Sequence, residues 1–222
     1  MDLLEPRQYI DLPESECSLH SRAPIRRGKY GRLVTFFASV KNHGPTACET
    51  LLEADFCLYL ERWHQINSYQ AQPFTLRLAD ENICYTPDFL TSCGANNTVV
   101  IYEVKSRTGA TDSVWLRRRA TLENFFDAHQ ITFRVVEEDD IRPNGVISNL
   151  RYLYHVGYGS TSHSDEVVRK VVQQLPDQHS TIAYLVQIGV AEQAIAHALF
   201  HDCIQVDLHR PIQRNSRIWT AP

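Results

Sequence analysis

Two short stretches of this 222-residue chain carry the residue types best suited to chemistry: Pro87-Asp88 and, after fourteen intervening residues, Glu103-Val104-Lys105. Either stretch alone arises about once in a few hundred residues at average usage, and the pair at this separation in roughly a few per cent of chains. Side chains two apart on a strand share a face. Glu103 and Lys105 should therefore point the same way as Val99 and Ile101, with Val100, Tyr102 and Val104 opposite. A short hairpin connection would pair this strand with the run ending near Asp88 and bring Asp88 close to Glu103. Two neighbouring carboxylates repel unless a cation lies between them. Oxygen donors favour Mg²⁺ or Mn²⁺ over zinc. Such a cation holds a phosphate, lowers the pKa of an attacking water and stabilises the leaving oxygen. Lys105 would position that water or offset charge on the phosphate. The plain alternative is an ordinary strand with an exposed Glu–Lys pair.

The elements around these residues follow from periodicity. A helix is expected from about residue 46, with Thr46-Ala47-Cys48-Glu49 as a capping box and Pro45 just before it. Leu52, Phe56, Tyr59, Leu60 and Trp63 fall on one of its faces. Glu53 lies at the edge of that face and is the expected third carboxylate; a carboxylate there is partly desolvated and needs a partner. Glu49 competes for the role, but the capping box gives it another task. Asp55 and Glu61 fall on other faces and are expected to be solvated. Strand-like runs cover residues 69–78, 83–90 and 98–105, with turns at 80–82 and 93–97. A second helix is expected over 113–129, N-capped by Asp112, then a strand over 131–136 with Ile131, Phe133 and Val135 on one side. On that helix Trp115 and Leu116 precede Arg117, Arg118 and Arg119, which cannot all face one way. Those that face the site are candidates for contact with a nucleic-acid backbone. The basic group Arg22, Arg26, Arg27, Lys29 and Arg32 reads either as a solvated loop or as a phosphate contact.

The acidic run 137–140 reads as a solvated loop, and Arg142-Pro143-Asn144-Gly145 as a linker. It divides an N-terminal domain, residues 1–143, from a C-terminal one, 144–222. The second part reads as short helices at 147–155, 165–175, 181–188 and 192–200, ending in two short strands around Arg210-Pro211. That order is analogous to a winged helix-turn-helix.

Composition narrows the classes. Hydrophobic residues make up 43% of the chain, enough for a core. No run approaches the roughly 18 apolar residues of a membrane helix, and the acidic N-terminus lacks a signal-peptide core. A soluble, intracellular protein with free cysteines is expected. Cys17 with His20, and His197 with His201, have possible zinc spacing, but neither pair has a second half-site. The net charge of −4 does not itself advertise nucleic-acid binding, although local patches can serve.

Taken in order, Glu49-Thr-Leu-Leu-Glu53-Ala-Asp55-Phe56, Gln72-Pro73, Tyr85-Thr-Pro-Asp88-Phe89 and Glu103-Val-Lys105 resemble the TnsA endonuclease subunits of heteromeric cut-and-paste transposases, within the PD-(D/E)xK nuclease superfamily. The motifs span residues 49–105. Gly189 in a helical stretch and Val206-Asp207-Leu208 extend the likeness towards the C-terminus. The resemblance implies an α/β fold: a restriction-endonuclease-like mixed sheet flanked by helices, followed by a C-terminal winged-helix-like domain. It implies cleavage of double-stranded DNA at the 5′ ends of a transposon in the bacterial cytoplasm. The partners would be a TnsB-type DDE transposase, which cuts and joins the 3′ ends, and a TnsC-type AAA+ ATPase. It makes Glu53, Asp88 and Glu103 the metal-binding acids and Lys105 the catalytic lysine. Gln72 becomes a motif residue without an assigned role. Some members carry Gln where Glu103 stands, so this chain keeps a full acidic ligand.

Overall fold

A computed structural model describes residues 10–22, 34–78, 81–175 and 179–220. The basic positions 26, 27, 29 and 32 lie outside these residues, as does Asp80 of the expected turn. The chain divides into two compact units, Met1–Ile141 and Arg142–Pro222.

The first unit is mixed α/β. Its described elements run β1 (Cys17–Ser21), β2 (Thr35–Ser39), β3 (Gly44–Cys48), α1 (Leu51–Arg62), β4 (Ile66–Ala71), β5 (Phe74–Leu78), β6 (Ile83–Tyr85), β7 (Phe89–Cys93), β8 (Thr98–Lys105), α2 (Arg107–Ala110), α3 (Ser113–Ala128), β9 (Thr132–Glu137) and α4 (Glu138–Ile141). A four-stranded sheet has the order β4-β7-β8-β9, and a three-stranded sheet the order β1-β5-β6. Strands β7 and β8 are antiparallel through a tight turn, whereas β9 runs parallel to β8. A parallel neighbour needs a crossover, and α3 supplies it.

The two faces of the four-stranded sheet bury separate cores. On one, Leu52, Phe56 and Leu60 of α1 pack on Phe89, Val100, Tyr102 and Val104. On the other, Trp115, Leu122 and Phe126 of α3 pack with Leu90 and Ile101, and Phe133 and Val135 of β9 join them. The parity expected for β8 is the parity observed.

Several boundaries differ from expectation, each for a local reason. The runs 69–78 and 83–90 are not single strands. Each breaks at a proline, one at Gln72-Pro73 between β4 and β5, the other at Thr86-Pro87-Asp88 between β6 and β7. A proline has no N–H to give a ladder, which favours a break at these positions. The two breaks face each other: the Gln72 N–H donates to the Asp88 carbonyl at 2.8 Å. The long hairpin thus bends at one level, and its arms pass from one sheet to the other.

Residues 46–48, expected to open the helix, belong instead to β3, which pairs with β2. Helix α1 starts at Leu51, with Thr50 as its N-cap. Its capping partner is Glu53, not Glu49. The acidic run after β9 is helical, not a loop, and Arg107 Nε donates to Asp139 of α4 at 2.5 Å.

The second unit contains, among its described residues, α5 (Val146–Gly157), α6 (Ser162–Gln173), β10 (His179–Thr181), α7 (Ile182–Gln187), α8 (Glu192–Phe200), β11 (Gln205–Val206) and β12 (Arg217–Trp219). The three short strands form one antiparallel sheet, order β10-β12-β11. Gly157 lets α5 approach α8: a Cβ there would lie 2.8 Å from the His197 backbone. No helix among the described residues is long and apolar enough to cross a membrane.

Candidate active site

Asp88 stands one residue before β7. Phe89 pairs with Tyr102, so the next position of that register sets Asp88 opposite Glu103. Its Oδ2 accepts the Val104 N–H at 2.7 Å, which clamps the carboxylate to the end of β8. Glu103 is buried, only 5% exposed. Its Oε2 accepts the Tyr85 hydroxyl at 2.7 Å, and its Oε1 accepts from Lys105 Nζ. Lys105 is also held over the Trp115 ring, 4.2 Å from its centroid. The ammonium therefore lies between a carboxylate and an aromatic face, with part of its side chain open to solvent.

Glu53, also 5% exposed, arrives from the first turn of α1. Its Oε2 accepts the Glu49 N–H at 2.8 Å, and its Oε1 accepts the Thr50 hydroxyl at 2.9 Å. The Glu53 N–H in turn donates to Thr50 Oγ1 at 3.1 Å. Thr50 and Glu53 thus take the places that the sequence pattern assigned to Thr46 and Glu49, although the Glu53 carboxylate accepts from the Glu49 N–H and the Thr50 hydroxyl in place of the Thr50 N–H that a full capping box would use. The expectation that Glu49 is the capping glutamate is corrected accordingly. Glu53 is both the residue whose N–H the Thr50 cap accepts and the buried carboxylate.

These acids sense one another. The Asp88 carboxyl is pushed well above its ordinary range, first by loss of water and then by the charges of Glu103 and Glu53; the Val104 N–H and Lys105 pull it back only partly. The Glu53 carboxyl is also raised, chiefly by burial, with Glu103 contributing. The structure thus gathers Glu53, Asp88, Glu103 and Lys105 where α1 and β7 begin and β8 ends.

The oxygen-only donor set, with its excess of buried negative charge, suits a hard divalent cation. Among the described residues, however, no three His, Cys, Asp or Glu side chains already form a metal-ligand cluster. Lys105, Tyr85 and the Val104 N–H occupy oxygens a cation would take.

Other sequence expectations resolve differently. Asp55 and Glu61 are not solvated: they are 2% and 1% exposed. Glu61 accepts from the Ser39 hydroxyl at 2.5 Å, the Tyr69 hydroxyl at 2.7 Å and the Lys41 N–H at 3.3 Å. It faces the β2–β3 hairpin, whose position next to α1 periodicity could not reveal. The three arginines of α3 separate as helical geometry requires. Arg117 is exposed, Arg119 pairs with Glu123 at 2.7 Å, and Arg118 donates to the Cys84 carbonyl while lying over the Tyr85 ring. His197 bonds the buried Asp165 through Nδ1 at 2.7 Å, and all six cysteines are free.

Sequence reasoning gave no role to Tyr85, the hydroxyl that orients Glu103, and did not connect Trp115 with Lys105. Tyr85 lies three residues before Asp88, a spacing that carries no signal by itself. No protein-family model matches the chain, and no curated protein matches it significantly.

Proposed function

We propose that the N-terminal unit is a divalent-metal-dependent DNA endonuclease of the PD-(D/E)xK type, acting as a TnsA-like subunit in transposition. The observation that carries the reading is the convergence of Asp88, Glu103 and Glu53 with Lys105 at the start of β7 and the end of β8. Mixed-sheet architecture with a parallel β9 is compatible with a restriction-endonuclease-like core. Among the described residues of the second unit, four helices and a small antiparallel sheet are compatible with a winged-helix-like module.

In this reading Asp88, Glu103 and Glu53 would hold Mg²⁺ or Mn²⁺. The cation, when bound, supplies positive charge to the phosphate and acidifies a water. Tyr85 fixes the rotamer of Glu103, and the Val104 N–H fixes Asp88. Lys105, released from Glu103 Oε1, directs a water oxygen towards the phosphorus or offsets charge on the phosphate oxygens. The new P–O bond forms as the bond to the 3′ oxygen breaks. The 3′ oxygen takes up a proton, which leaves a 3′-hydroxyl and a 5′-phosphate. Arg117 of α3 is exposed to contact backbone phosphates.

The test uses transposon-end DNA, Mg²⁺, and TnsB- and TnsC-type partners, with both strands mapped. The expected result is cutting at the 5′ ends, abolished by Asp88→Ala while 3′-end joining persists. Cleavage by the protein alone would instead favour a stand-alone repair or restriction nuclease. Undiminished 5′ cutting by Asp88→Ala would overturn the site. No cutting by the wild type in the full mixture would favour a non-catalytic DNA-binding subunit.

A further inference from the structure

Gln72 combines three features that rarely meet in one residue. It is 8% exposed. Its backbone has a φ of +45°, in the left-handed region that disfavours a residue with a Cβ. Its side-chain Oε1 is buried and accepts no hydrogen bond, one of three such orphaned atoms among the described residues. A buried carbonyl without a donor is costly, and native structures rarely retain one without a use. Strain of this backbone kind likewise gathers at functional positions.

The place of Gln72 gives these features a direction. Its N–H holds the carbonyl of Asp88 across the bend of the hairpin, so its backbone and that of the central acid are fixed together. The other two orphaned atoms, Trp115 Nε1 and Arg118 Nε, belong to residues that contact Lys105 and Tyr85. Each orphaned atom among the described residues thus belongs to a residue that bonds or touches the acidic site or its supports: Gln72 through Asp88, Trp115 through Lys105 and Arg118 through Tyr85.

The geometry points to Gln72 as a further binding residue of that site, its amide oxygen accepting a hydrogen bond from a water in the shell of a divalent cation. This rests on the acidic-site reading above. Small divalent cations such as Mg²⁺ keep several of their waters when protein-bound, and those waters are strong donors that need acceptors beyond the ligands. An uncharged carbonyl meets that need without adding to the repulsion among the three acids. Second-layer acceptors of this kind typically change metal affinity about 10–100-fold.

The experiment compares the full-length wild type, Gln72→Met and Asp88→Asn, with Mn²⁺ alone as the probe. Free Mn²⁺ is read by electron paramagnetic resonance, and Tm is measured without metal. Gln72→Met keeps the length of the side chain and removes the amide. The expected result is Mn²⁺ binding weakened about tenfold, with a metal-free Tm equal to or above that of the wild type. A purely structural role predicts the reverse: a lowered metal-free Tm, or failure to fold, which overturns the proposal. Unchanged Mn²⁺ affinity in Gln72→Met, with binding lost in Asp88→Asn, overturns the role of Gln72 alone. Unchanged affinity in Asp88→Asn overturns the acidic-site reading on which it rests.

Discussion

Helix α1 carries a buried glutamate near each end. At the C-terminal end, Glu61 is met by two hydroxyls and a backbone N–H, all donors. Nearby, the Lys41 ammonium caps the helix through the carbonyls of Leu60 and Trp63, at 2.7 and 2.6 Å. Burial lowers the pKa of that lysine to about 8. At the N-terminal end, Glu53 has its own cap donors but also faces the charge of Glu103, and Asp88 feels both. One end surrounds a single charge with donors, whereas the other brings like charges together. A satisfied buried charge makes a joint between elements, here α1, the β2–β3 hairpin and β4. A frustrated cluster stores unfavourable energy that a cation or proton can relieve, so buried like charges mark candidate function.

The comparison can be broken at either end. The largest effect is expected from Glu61→Ala, which strands the Ser39 and Tyr69 hydroxyls and should destabilise the protein by about 3 kcal/mol in urea unfolding. A loss below about 1 kcal/mol would mean that the network does not join the hairpin to the helix.

Asp88→Asn should act in the opposite sense, raising the metal-free Tm by about 2–4 °C, as expected for a gain on the order of 1 kcal/mol. The pH dependence follows from the same charges. The folded-state pKa values of Asp88 and Glu53 lie above their ordinary values of 3.8 and 4.5. The folded protein therefore binds these protons more tightly than the unfolded chain does. Their contribution to stability is fully present below the ordinary values and is lost as pH rises through the raised ones. Asp88→Asn should flatten that fall in a series of thermal melts from pH 4 upward, roughly the range in which such groups titrate. A parallel displacement of the curve, with no change in slope, would contradict the clustering.

Thr50→Ala removes the N-cap of α1 and one donor to Glu53 at once. A loss of about 1 kcal/mol is expected, together with a steeper decline in stability as pH rises. The smallest effect belongs away from both ends of the helix. Arg119 and Glu123 form a half-exposed pair one turn apart on α3. Arg119→Ala should cost no more than about 0.5 kcal/mol, measured by denaturant midpoint.

Much of the frame was legible in the chain. The alternation of β8, the capping of α3 by Asp112 and the turn between β7 and β8 are local properties, set by side-chain period and backbone chemistry. The helix start was misplaced because Thr46 and Thr50 each begin a T-x-x-E pattern, at Glu49 and Glu53. Pairing with β2 draws residues 44–48 into a strand and decides between them. Asp55 and Glu61 were misjudged for a related reason: an apolar periodicity identifies one buried face of a helix, and α1 is covered on more than one.

By itself, the sequence determined that Glu103 and Lys105 share a face and that a proline precedes Asp88, because strand period and proline chemistry do not depend on distant residues. Only the tertiary structure decided that the Gln72 and Asp88 bends meet, that Tyr85 and Trp115 hold Glu103 and Lys105, and that Glu53 bonds the Thr50 cap of its helix while bearing on the other acids. Those relations join residues far apart in the chain, and the packing of α1 and α3 on opposite faces of one sheet sets their geometry.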